Sequence, residues 1–152
     1  MALQIPADLV AEALRISVKG QDHVVPAIAQ LLVNGEIGYS RPGRPKGTFL
    51  FLGPTGVGKT EITKCMSEVL YGHPNLHVFD MGGFPEAVDA TRFKELLAEK
   101  LDAVESNALL LFDEIEKAHK TIVDLFLSMT DEARFVYEGR AFDLSNCYLV
   151  CT

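Results

Sequence analysis

The sequence predicts an α/β protein, a three-layer α/β/α sandwich on a parallel sheet. From residue 48 to residue 152, apolar runs of strand length alternate with longer amphipathic stretches of helical period. Strands that alternate with helices imply parallel crossovers, and these cover both faces of the sheet. A glycine-rich turn also joins the first apolar run directly to the helix after it. The 152 residues are 48% hydrophobic and 23% charged, ordinary for one soluble domain able to bury a core without staples.

Two helices precede the sheet. Residues 7–16 set Leu9, Val10, Ala13 and Leu14 at helical spacing directly after Pro6, a residue suited to a first helical turn. Residues 21–33 repeat the pattern with Val24, Val25, Ile28, Leu31 and Leu32; Pro26 falls in the first turn, and Asn34-Gly35 is a stop signal. Residues 35–47, with four glycines, two prolines and no apolar period, read as a linker loop.

The core follows. A strand at 48–52 leads through the glycine turn into a helix at 61–71, with Ile62, Cys65, Met66, Val69 and Leu70 inward. A strand at 76–81 precedes a helix at 91–106 carried by Phe93, Leu96, Leu97, Leu101 and Val104. A third strand at 108–113 precedes a helix at 116–130 through Ile122, Leu125, Phe126 and Met129, and residues 146–152 form the last strand. In such a sheet the ligand lies at the carboxyl ends of the strands.

Composition excludes several classes. No apolar run approaches the roughly 20 residues that cross a bilayer, and the N-terminus lacks the pattern of a secretory signal, so a cytoplasmic protein without membrane contact is expected. A net charge of -7 argues against broad capture of nucleic acid; the basic stretch Arg41, Arg44 and Lys46 reads as a solvated connector. Cys65, Cys147 and Cys151 are odd in number, have no Cys-x-x-Cys spacing and read as reduced core thiols. The histidines at 23, 73, 77 and 119 show no ligand spacing.

The strongest chemical signal is Gly53-Pro54-Thr55-Gly56-Val57-Gly58-Lys59-Thr60, which fits G-x-x-x-x-G-K-[ST] between an expected strand and an expected helix. Its glycines allow a tight turn whose N–H groups point inward, and the helix start adds positive potential, together a cradle for the phosphates of ATP. Lys59 supplies a charge to the β- and γ-phosphates, and the Thr60 hydroxyl suits Mg²⁺. Asp113 and Glu114 end an apolar strand, where Asp113 can hold the Mg²⁺ shell and Glu114 can orient and deprotonate the attacking water. Taken alone, the same pair would suit a solvated helix start; the glycine motif upstream favours catalysis. Arg140 is expected in a turn before the last strand, and Glu116, Lys117 and Lys120 on a charged outer face.

Residues 53–61 (GPTGVGKTE), 113–119 (DEIEKAH) and 18–22 (VKGQD) resemble the AAA+ ATPases of the Clp chaperone family, specifically their second nucleotide-binding module, over residues 18–152. The resemblance implies a P-loop ATPase, the AAA+ large subdomain, that joins further copies in a ring and remodels proteins. It implies a Walker A loop at residues 53–60 with Glu61 beside it, and a Walker B pair at Asp113 and Glu114. It also implies an adenine-pocket segment at Val18 and Gly20, with Lys19 where an apolar residue is usual, and a trans-acting finger at Arg140. Residues 82–91 lack the family's substrate-gripping Gly-Tyr-Val-Gly loop, as in torsins, and their aromatic Phe84 reads as a packed loop residue. Residue 152 falls where the family continues into a sensor asparagine, a fifth strand and a helical lid, so the expectation is a C-terminally truncated core of low turnover. The competing expectation is a nucleotide-dependent binding or adaptor module with little or no hydrolysis or threading.

Overall fold

A computed structural model describes residues 25–37, 43–51, 59–72, 75–105 and 107–152. The helix expected at 7–16 lies outside them. The elements are α1 (Val25–Glu36), β1 (Gly47–Leu50), α2 (Lys59–Tyr71), β2 (Leu76–Asp80), α3 (Asp89–Ala103) and β3 (Leu109–Asp113). There follow α4 (Lys120–Glu132), β4 (Arg134–Tyr137), β5 (Arg140–Asp143) and β6 (Tyr148–Cys151).

Four strands form one parallel sheet in the order β1-β6-β3-β2. The central strands are buried on both faces, which is why Leu109-Leu110-Leu111-Phe112 and Tyr148-Leu149-Val150-Cys151 show no polar alternation. Successive side chains of a strand point to opposite faces. Leu109, Leu111, Tyr148 and Val150 accordingly meet Val25, Ile28 and Leu32 of α1 and Ile62 and Met66 of α2. Leu110, Phe112, Leu149 and Cys151 meet Phe93, Leu97 and Leu101 of α3 and Ile122, Phe126 and Met129 of α4. This is the three-layer sandwich that the sequence predicts. Leu31 and Leu96, read above as part of the apolar stripes, stand out to solvent instead.

Three departures from the sequence expectation have physical causes. Helix α1 does not stop at Asn34-Gly35 but runs to Glu36. Gly35 is buried there because a Cβ would lie 2.5 Å from the Tyr148 hydroxyl and 2.9 Å from the Lys46 carbonyl, so glycine serves a close helix–sheet approach rather than a stop. The helix expected at 116–130 is broken: a single 3-10 turn, Ile115–Lys117, comes first, and His119 then caps α4 by accepting from the Thr121 N–H at 3.3 Å. Finally, residues 134–143 form an antiparallel hairpin, β4 with β5. Its turn, Glu138-Gly139, has φ of 48° and 77°, the doubly positive turn that two-residue hairpins favour. Phe135 and Phe142 from the hairpin pack into the α3/α4 side of the core.

Candidate functional site at the carboxyl edge of the sheet

All four sheet strands run the same way, so their carboxyl ends share one edge. At that edge β1 ends at Leu50, and α2 begins at Lys59 and Thr60. Strand and helix therefore flank the glycine motif as its chemistry requires. Residues 53–58 of the motif, with Val18 and Gly20, lie outside the described residues. Glu61 sits exposed in the first turn of α2, paired with Lys64 at 3.2 Å. The strand bearing the acidic pair does not adjoin β1. Strand β6 runs between them, which separates β1 from β3 by about 10 Å.

Asp113 closes β3, opposite Asp80 of β2. The next residue, Glu114, turns the chain off the sheet with φ 55° and ψ 50°, a left-handed conformation uncommon outside glycine. Its carboxylate takes a 2.9 Å ion pair from Lys117 Nζ. Lys117 stays on the exposed charged face expected for it, and the contact raises its ammonium pKa, first through the hydrogen bond to Glu114. Thr152, which sequence reasoning did not single out, reaches the same point. Its hydroxyl accepts from the Glu114 N–H at 3.3 Å and donates to the Asp113 carboxylate.

Arg140 lies elsewhere. It opens β5 rather than sitting in a turn, and its guanidinium forms a two-pronged bond to Asp102 of α3 at 2.9 and 2.7 Å, with the Phe142 ring 4.8 Å below. The hydrogen bond from Arg140 holds the Asp102 carboxyl below its ordinary value. Phe84, in the short loop after β2, is 5% exposed. It packs edge-on to Phe93 at 5.4 Å, beneath the Arg92 guanidinium at 4.7 Å. Arg92 also bonds the Gly83 carbonyl, and the His119 N–H donates to the Phe84 carbonyl at 2.9 Å, so this loop is tied to the segment after Glu114. The three cysteines are buried, and burial pushes the thiols of Cys147 and Cys151 up to about 11 and about 12. No described helix is long and apolar enough to cross a membrane.

A parallel sheet whose first strand leads into a glycine motif and whose third ends in an acidic pair can be compared with known families. Residues 44–152 match the family model described as AAA domain (Cdc48 subfamily). The chain belongs to the AAA domain family. Within it, this AAA chain is 35% identical over 154 residues to chaperone protein ClpB of Aquifex aeolicus, a match covering 93% of this chain and 15% of that protein. It is 33% identical over 155 residues to the ATP-dependent Clp protease ATP-binding subunit ClpE of Lactococcus lactis, covering 93% and 21%. Against heat shock protein 100 of Trypanosoma brucei brucei, identity is 35% over 148 residues, covering 89% and 17%. These relatives group the AAA chain with the Clp ATPases, of which it spans about a fifth or less in each of these three proteins.

Proposed function

We propose that this chain binds ATP with Mg²⁺ and hydrolyses it as the motor core of a Clp-like protein-remodelling ATPase in the cytoplasm. The observation that carries the reading is the Asp113–Glu114 pair at the carboxyl edge of β3, in the parallel sheet whose β1 runs into the glycine motif. Gly53, Thr55, Gly56, Val57 and Gly58 would offer backbone N–H groups to the phosphates, Pro54, which has none, would shape the turn, and Lys59 would neutralise the β- and γ-phosphates. Glu61, Val18 and Gly20 complete the nucleotide site.

The donor set fits Mg²⁺: one carboxylate, Asp113, and one hydroxyl, Thr60, are hard oxygen ligands of the kind Mg²⁺ accepts alongside water and substrate phosphates. When bound, the ion would supply positive charge to the phosphate oxygens. Glu114 takes the proton of the attacking water and holds it on its carboxylate, which requires that carboxylate to leave Lys117. The Lys117 pair, with Lys117 more than half exposed, is a weak tether that yields readily. Arg140 acts in a neighbouring copy's site within a ring, after releasing Asp102.

In the full chain, Glu114→Gln should keep nucleotide binding and lose about 100-fold or more of turnover, the range for removing a general base. Turnover equal to wild type would remove Glu114 from the mechanism. Arg140→Ala should slow hydrolysis only at concentrations where the wild type is oligomeric; a uniform effect on the monomer would contradict a trans role.

A second reading is favoured by one observation. Phe84, the aromatic of residues 82–91, is buried against Phe93 and cannot grip a polypeptide. A nucleotide-dependent adaptor that binds a protein partner without threading it accords with that packing. Sizing with and without ATP separates the two, since the motor reading demands nucleotide-dependent assembly.

A further inference from the structure

Thr152 follows β6 and makes four hydrogen bonds across the carboxyl edge. Its N–H donates to the Phe112 carbonyl at 3.1 Å, and its carbonyl accepts from the Ile115 N–H at 3.1 Å. Any residue except proline would make these two. The other two need a hydroxyl: it accepts from the Glu114 N–H at 3.3 Å and donates its proton to Oδ1 of Asp113. A hydroxyl has one proton and two lone pairs, so both bonds can be made at once when Asp113 is ionised.

We propose that Thr152 is the positioning residue of the acidic pair. Its hydroxyl sets the orientation of the Asp113 carboxylate, leaving the second oxygen for a ligand. The same hydroxyl anchors the Glu114 peptide in its left-handed turn, which fixes the direction in which the Glu114 side chain leaves the sheet. Strand order makes this possible: β6 lies between β1 and β3, so the residue that follows it stands beside the end of β3, where Asp113 lies. As to metal and nucleotide, the inference rests on the function proposed above.

The test uses the full chain with Thr152→Val, which keeps the branched shape and both main-chain bonds, and Thr152→Ser, which restores the hydroxyl. Thr152→Ala replaces the valine variant if that one fails to fold. In nucleotide-free protein, amide hydrogen exchange at Glu114 should quicken about tenfold or more in Thr152→Val, the equivalent of one lost hydrogen bond, and return towards wild type in Thr152→Ser. Calorimetry with ADP should show the Mg²⁺-dependent gain in affinity reduced about tenfold in Thr152→Val, as for loss of a bond to a charged group, with affinity in EDTA unchanged. Serine should restore it. Unchanged Glu114 exchange and an unchanged Mg²⁺ gain in Thr152→Val would overturn the proposal. A wild type that binds no nucleotide would instead overturn the function proposed above, and the exchange measurement would still decide whether Thr152 anchors Glu114.

Discussion

Glu114 adopts φ 55° although it carries a full side chain, and a non-glycine residue held there is strained by about 1–3 kcal/mol. Such strain persists only where neighbours over-determine the conformation. Here the Thr152 hydroxyl on the Glu114 N–H and the Thr152 carbonyl on the Ile115 N–H do so. In the function proposed above, the phosphate half of the site depends on Lys59, the lysine of the glycine motif and the first residue of α2. Bound nucleotide stabilises by mass action, about 2.7 kcal/mol at ligand one hundred times its Kd. Lys59→Ala should therefore abolish the rise in melting temperature that ATP with Mg²⁺ gives the wild type; a rise equal to the wild type's would refute the role. Asp113 and Glu114 were legible in the sequence because the apolar run before them marks a strand end. Lys117 was legible only as charge, although its spacing of three from Glu114 was a usable signal. Thr152 was not legible, since its polar partner Asp113 is 39 positions away.

At the scale of elements, the helix–sheet contact at Gly35 carries the clearest consequence. An alanine there would gain up to about 1 kcal/mol of helix propensity. Its methyl would also collide with the hydroxyl of Tyr148, a fully buried side chain that donates to the Leu32 carbonyl at 3.2 Å, and with the Lys46 backbone. Overpacking of this kind costs about 1–3 kcal/mol, so Gly35→Ala should lower the urea midpoint despite the better helix former. A higher midpoint would show that α1 can shift away from the sheet. The same contact explains why a sequence stop signal failed: glycine was needed for proximity, not for a reversed backbone. The hairpin of β4 and β5 was hidden for another reason. Arg134-Phe135-Val136-Tyr137 and Arg140-Ala141-Phe142-Asp143 alternate as strands do, but Glu-Gly is a weaker turn signal than Asn-Gly or Asp-Gly.

For the molecule as a whole, the sheet separates two apolar cores, and two of its buried groups are thiols at the ends of the same segment, Cys147 and Cys151. Burial raises these thiols from an ordinary 9.0 to about 11 and about 12. The sign follows from proton counting: below about pH 9 both states hold the protons and the stabilisation is complete. As pH rises through the folded values, the unfolded chain has already released protons that the native state retains, and stability is lost. Burial also pushes the Tyr148 hydroxyl upward, which acts in the same direction above its ordinary 10.0. Chemical denaturation between about pH 8 and about pH 11 should show falling stability, and Cys151→Val should flatten the fall. A pH-independent midpoint in the wild type would mean that the thiols titrate normally and that the core admits water.

The sequence by itself determined the α/β alternation, the glycine motif, the acidic strand end and the helical and strand faces, because each depends on residues within one or two turns of chain. Only the tertiary structure decided the strand order that inserts β6 between β1 and β3, the meeting of Thr152 with Asp113, the pairing of Arg140 with Asp102 and the burial of Phe84. Those contacts join residues far apart in the chain, and no local periodicity encodes which strand lies beside which.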